Sequence, residues 1–120
     1  MKLKYIYITL IALTNLVINS CCNIHKLNRL DNKDIKKGTW ISIPEESRNL
    51  LEVACFKNGV FNGNYFLYYE SGQIKVKGKY KDGKKDGKWF FFRTNGDTYK
   101  TIKYRNDSLI SLSNSQRGGW

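Results

Sequence analysis

The sequence predicts an all-β protein, an elongated, twisted antiparallel β-meander of ~24-residue hairpin repeats behind a signal peptide and a polar tether. Three observations lead there. Residues 56–79 realign on residues 80–103 without a gap. Asn-Gly and Asp-Gly dipeptides, the strongest short-range hairpin signals, recur along the chain. The runs between them are rich in the aromatic and β-branched residues that strands prefer. Ten glycines, one proline and abundant aromatics favour hairpins over disorder. A chain of 120 residues is one domain at most.

Residues 1–20 read as an export signal. Lys2 and Lys4 form a positive start, and Tyr5 to Ile18 is an apolar stretch. That stretch is short for a membrane-crossing helix, which needs roughly 20 apolar residues, and it suits a signal peptide. The following Ile18-Asn19-Ser20-Cys21 resembles the lipobox of bacterial lipoproteins, although Asn19 departs from the usual choice. The resemblance implies cleavage before Cys21 and lipidation of its sulfur and new amino group. More than one acyl chain makes anchoring stable. An uncleaved N-terminal anchor and an ordinary signal peptide are the alternatives.

Residues 21–37 follow as a lipid-anchored tether. Asn23 to Lys37 is polar and charged, with no strand pattern. Its basic residues favour an anionic surface. Cys22 and Cys55 can pair in an oxidising compartment, but Cys55 lies in the apolar run Val53-Ala54-Cys55-Phe56 and reads as a buried free thiol. His25, the single histidine, reads as an incidental tether residue.

The repeat domain is placed at 38–107. In the 24-residue register Gly59 falls on Gly83, Gly63 on Gly87 and Gly72 on Gly96. Phe56, Tyr65, Phe66 and Tyr68 fall on Tyr80, Trp89, Phe90 and Phe92. The six glycines read as turn positions, with Asn58-Gly59, Asp82-Gly83 and Asn95-Gly96 as turns needing positive φ and Ser71-Gly72 as a weaker one. An earlier, degenerate copy begins at Gly38-Thr39-Trp40, with a swollen turn around Pro44 and a returning strand over 50–56. Residues 108–120 read as a closing strand or a tail.

The Gly-Lys-Lys-Asp-Gly-Lys-Trp run at 83–89, followed by Phe92 and Asn95-Gly96, resembles the MORN repeat in its bacterial variant. The resemblance spans about Gly38–Asp107. It implies an elongated, twisted antiparallel sheet. Some bacterial members carry an antitoxin label, and others are linked to membranes or protein assembly.

Two surface features are candidates for binding. Alternation along Ile74–Lys81 puts Lys75, Lys77, Lys79 and Lys81 on one side, with Lys84, Lys85 and Lys88 at the next turn. This is a basic stripe for an acidic partner, or a solvated face that discourages edge aggregation. The apolar residues on both faces, Tyr65 and Trp89 among them, exceed what a thin sheet buries and leave room for a binding face. Lys2 and Lys4 account for two of the 21 basic residues, which leaves 19 against 10 acidic ones in the mature chain. That balance favours acidic partners, or serves solubility alone.

No nucleophile–base pair, metal-ligand spacing or phosphate-loop fingerprint is present in the sequence, so no cofactor and no catalysis are expected. Nucleic acid is not an expected partner at an exported address. The expected function is that of a non-enzymatic envelope lipoprotein, periplasm-facing, held by lipid on Cys21 and binding a protein or an acidic surface. An immunity-type lipoprotein that neutralises a toxin is the alternative, implied only by the family's antitoxin label.

Overall fold

The computed structural model describes residues 28–44 and 50–115. They contain eight strands and no helix: β1 (Arg29–Leu30), β2 (Lys36–Ser42), β3 (Leu51–Lys57), β4 (Val60–Tyr68), β5 (Ile74–Lys81), β6 (Lys84–Phe92), β7 (Thr98–Arg105) and β8 (Ser108–Asn114). The strands follow one another in a single open antiparallel sheet in chain order, with each strand paired to the next. The expected positions Cys21, Cys22, His25 and Glu45–Ser47 lie outside the described residues.

The connections are of two kinds. Asn58-Gly59 and Asp82-Gly83 both adopt positive φ, as a tight two-residue hairpin requires. Asn106-Asp107 does the same without a glycine, at φ 49° and 68°. Asn95-Gly96 differs from expectation. Gly96 alone is left-handed, its N–H donates to the Arg93 carbonyl and the Arg93 N–H donates to the Asp97 carbonyl. Gly72, Tyr69 and Gln73 repeat those bonds. Both are wider turns that end in a left-handed glycine, so Ser71-Gly72 and Asn95-Gly96 are equivalent.

Gly63 and Gly87, expected as turns, lie inside β4 and β6 at φ 114° and 74°. Each sits where the pairing with the preceding strand shifts register. A β-bulge demands the same left-handed backbone as a turn, which is why the glycine signal does not separate the two. Around Gly63 the Asn62 side chain accepts a hydrogen bond from the Asp82 N–H at 3.0 Å.

The sheet starts earlier than the tether reading placed it. Arg29–Leu30 pairs with Lys36–Lys37. The Asp31 carboxylate accepts from the N–H groups of Lys33 and Ile35 at 2.8 and 3.1 Å. Those two bonds hold its pKa below the ordinary carboxylate value, Ile35 contributing most. Asn28 replaces a strand residue at the edge: its N–H donates to the Thr39 carbonyl, and its side-chain oxygen accepts from the Ile41 N–H. At the other end residues 108–114 form the closing strand β8.

Burial is uneven. Leu51, Val53, Phe66 and Tyr68 form the core cluster, with Ile41 and Ile74 against it. By contrast every residue of β8 is exposed. Cys55 belongs to the buried region at 5 % exposure, and it is disulfide-bonded, not the free thiol expected. Burial and pairing are compatible here, and burial alone did not decide between them.

Candidate functional site

Strand alternation and register sort the side chains onto two chemically different faces. One carries a continuous row of rings. Trp40 meets Phe56 at 6.2 Å, and Phe56 meets Phe61 at 4.6 Å. Phe61 stacks on Tyr80 at 4.8 Å, Tyr80 packs edge-on to Trp89 at 5.0 Å, and Trp89 meets Tyr104 at 6.3 Å. Tyr65 touches Phe61, Tyr80 and Trp89. The row thus crosses β2 to β7. Cations lie over its ends: the Lys36 ammonium sits 4.7 Å from Trp40, and the Lys85 ammonium 5.0 Å from Trp89 and 5.2 Å from Tyr104.

This face is anchored by polar contacts. The Tyr65 hydroxyl donates to Glu52 at 2.9 Å, and the Ser42 hydroxyl donates to the other Glu52 oxygen at 3.1 Å. Burial, then the Glu52 charge, pushes the Tyr65 pKa well up, and the same two causes raise Tyr80. Trp89 is 3 % exposed, and its indole N–H donates to the Lys79 carbonyl at 3.2 Å. Its ring lies on Gly78, where any Cβ would overlap it. Most of the row is partly exposed, so ring faces remain available to solvent.

The opposite face divides into two zones. Over β3 and β4 it is the apolar cluster of Leu51, Val53, Phe66 and Tyr68, and Cys55 shares this side by alternation with Val53. Over β5 to β7 it is rich in lysine, with Phe90 directly opposite Lys77 and Phe92 beside it. Lys77 pairs with Phe66 in the register, and Lys79 with Asn64. Lys81 stands directly opposite Lys84, and Lys88 directly opposite Lys103. Asp86, opposite Lys79, is the acidic residue of this zone. Lys77, Lys79, Lys81, Lys84, Lys88 and Lys103 are all exposed.

The predicted stripe is therefore split. Lys77, Lys79 and Lys81 stay together. Lys75 departs because the register shifts between Leu67 and Tyr68, and its ammonium lies 5.5 Å from the Tyr69 ring. Lys85 lies on the aromatic face with Tyr65 and Trp89. Lys103 joins the basic zone from β7, a contribution visible only once strand register is known. The end of the sheet near the wider turns holds a separate open recess of about 500 Å³ lined by Tyr69, Arg93, Thr94, Asn95 and Tyr99. Among the described residues no group of His, Cys, Asp and Glu side chains converges to hold a metal ion, and no helix is long and apolar enough to cross a membrane.

Compared with known proteins, the chain matches no family model, no curated protein and no solved structure.

Proposed function

We propose that the chain is an exported, non-enzymatic lipoprotein, cut and lipid-anchored at Cys21, whose repeat sheet binds an acidic partner through its lysine face. The observation that carries the binding reading is the pairing of like charges. Lys81 faces Lys84 and Lys88 faces Lys103 across neighbouring strands. Like charges directly opposite one another destabilise a sheet, and solubility does not require them to be opposed. A partner that supplies negative charge removes that cost on binding.

The repeat reading draws support from backbone detail. Asn58-Gly59, Asp82-Gly83 and Asn106-Asp107 recur at 24-residue spacing with the same left-handed geometry. The N–H groups of Gly59, Gly83 and Asp107 each donate to a carbonyl on the strand before the hairpin, those of Lys36, Phe61 and Lys85. This is the hydrogen-bond pattern of one hairpin unit used three times. It favours the MORN-like reading of an extended recognition sheet, in a family without a common chemistry.

The test is a pair of measurements on the full chain expressed in a bacterial envelope. Cys21→Ser should release the protein from the membrane fraction. In the chain that Cys21→Ser leaves without lipid, combined reversal of Lys77, Lys79 and Lys81 to Glu should weaken binding to vesicles containing anionic lipid by at least about tenfold, since each basic residue near such a surface contributes about 1 kcal/mol. Binding of the lipid-free chain with its lysines intact should also fall as salt rises. Binding that ignores both charge reversal and salt would reduce the lysine face to a solvated surface.

A further inference from the structure

The two wide turns of the sheet are built alike and differ by one exchange. In each, the residue that opens the turn and a residue early in the following strand form a cation–ring pair. In the β4–β5 turn the Lys75 ammonium lies 5.5 Å from the Tyr69 ring. At the matching positions of the β6–β7 turn the Arg93 guanidinium lies 5.3 Å from the Tyr99 ring. Ring and cation have changed places. Side chains of both turns, Tyr69 from the first and Arg93, Thr94, Asn95 and Tyr99 from the second, line the open recess of about 500 Å³ at this end of the sheet. That volume is in the range of small-molecule sites.

The lining is held in place by the turns themselves. The Tyr69 N–H donates to the Gln73 carbonyl and the Arg93 N–H to the Asp97 carbonyl, which closes both turns. The Tyr69 hydroxyl donates to the Phe92 carbonyl at 2.8 Å and ties one turn to the other. Tyr99 packs edge-on against Phe91 at 6.5 Å. The Asn95 side chain donates to the Asp97 carboxylate and accepts from the Asp97 N–H. The acids of the two turns, Glu70 and Asp97, do not line the recess. Among the described residues its lining therefore carries one formal charge, that of Arg93.

A guanidinium presents its N–H donors in a rigid fork that matches both oxygens of a carboxylate. Holding it over a ring beforehand reduces the side-chain freedom lost when a ligand arrives. The tyrosine rings offer flat apolar faces to the C–H side of a sugar ring, and the Thr94 hydroxyl offers a hydrogen bond to a sugar hydroxyl. We propose that the recess binds a carboxylate-bearing sugar of the hexuronic acid class, with its carboxylate on Arg93 and its ring against Tyr69 and Tyr99. The recess is open, so such a unit fits free or within a longer chain. The site is separate from the lysine face and independent of lipid anchoring. Tyr99 sits with Phe91, whose neighbour Phe90 is the residue opposite Lys77. The lysine face attracts negative charge in general, whereas the recess selects one kind of acid by its shape.

The experiment titrates the full chain, in a neutral detergent, with galacturonic acid and follows the backbone amides by NMR. Saturable shifts should centre on the turns that hold Tyr69, Arg93, Thr94 and Asn95. Galactose has the ring without the carboxylate, and benzoate and inorganic phosphate have the charge without the sugar. Each should bind at least about tenfold more weakly, the loss expected when a charge-assisted hydrogen bond or its geometry is missing. Arg93→Lys keeps the charge and removes the fork, and should lose about tenfold in affinity at an unchanged urea midpoint. Reversal of Lys77, Lys79 and Lys81 to Glu should leave the affinity within about threefold, since exposed charges beyond a Debye length are screened. A galacturonic acid trimer that binds more tightly than the monomer supports the site with a polymer as its source, and equal binding supports it with the free sugar as its source. Equal binding of galactose, benzoate or phosphate, an unchanged affinity in Arg93→Lys, shifts that map to the lysine face, or the absence of saturable shifts overturns the proposal.

Discussion

Tyr68 combines full burial with an unsatisfied group. It is 0 % exposed, and its hydroxyl has no hydrogen-bond partner among the described residues. Such a hydroxyl costs about 1–3 kcal/mol of desolvation. Tyr68→Phe should therefore stabilise the protein by about 1 kcal/mol, read as a higher urea midpoint at unchanged slope. Burial also pushes the Tyr68 pKa up to about 12 from 10. The unfolded chain releases this proton first, so the stabilisation is complete below pH 10 and is lost as pH rises toward 12. Tyr65 and Tyr80 are shifted the same way by burial. Stability should stay level up to about pH 10 and fall steeply above it, and Tyr68→Phe should make that fall shallower without removing it. A Tyr68→Phe protein less stable than wild type at pH 7 would mean that the hydroxyl has a partner.

Single strands show where sequence reading succeeds and where tertiary structure overrides it. The two-residue turns are legible because Asn-Gly and Asp-Gly prefer the left-handed backbone those turns need. The same rule misplaces Gly63 and Gly87, because bulges use that backbone too. Period-2 counting assigns Lys75, Lys77, Lys79 and Lys81 to one face, and fails at Lys75, where the register shifts; Lys85, beyond the next turn, lies outside that count. β1 carries no hydrophobic alternation at all, since a two-residue ladder is held by Asn28 and Asp31 side chains instead. Gly78 is the most informative position with no sequence signal. It sits in mid-strand, without positive φ, and needs to be glycine because the Trp89 indole occupies the space of its Cβ. Gly78→Ala should cost about 2–3 kcal/mol, the upper range for overpacking, and should shift Trp fluorescence as the ring is displaced. An alanine there with wild-type stability and emission would refute this seating of β6 on β5.

A meander in which each strand touches only its neighbours behaves almost one-dimensionally, so its stability varies along the chain. Protection is concentrated at β3 and β4, where Leu51, Val53, Phe66 and Tyr68 are at most 4 % exposed and Cys55 is cross-linked. The lysine zone of β5 to β7 follows, held on its other side by the aromatic row. β8 is the weak end: wholly exposed, paired on one side only, with Leu109, Ile110 and Leu112 each about half exposed. Hydrogen exchange should reflect this order, with β8 amides exchanging at least about tenfold faster than those of β5 and β6, and β3 and β4 exchanging last. The Cys55 disulfide adds to the strong end of the gradient. Its reduction should remove about 2–4 kcal/mol of protection, the usual size for such a bond, from β3 first. β8 should be unaffected, since it already opens without unfolding the core. Exchange that is uniform along the sheet, and falls uniformly on reduction, would instead mean that the meander opens as one cooperative unit.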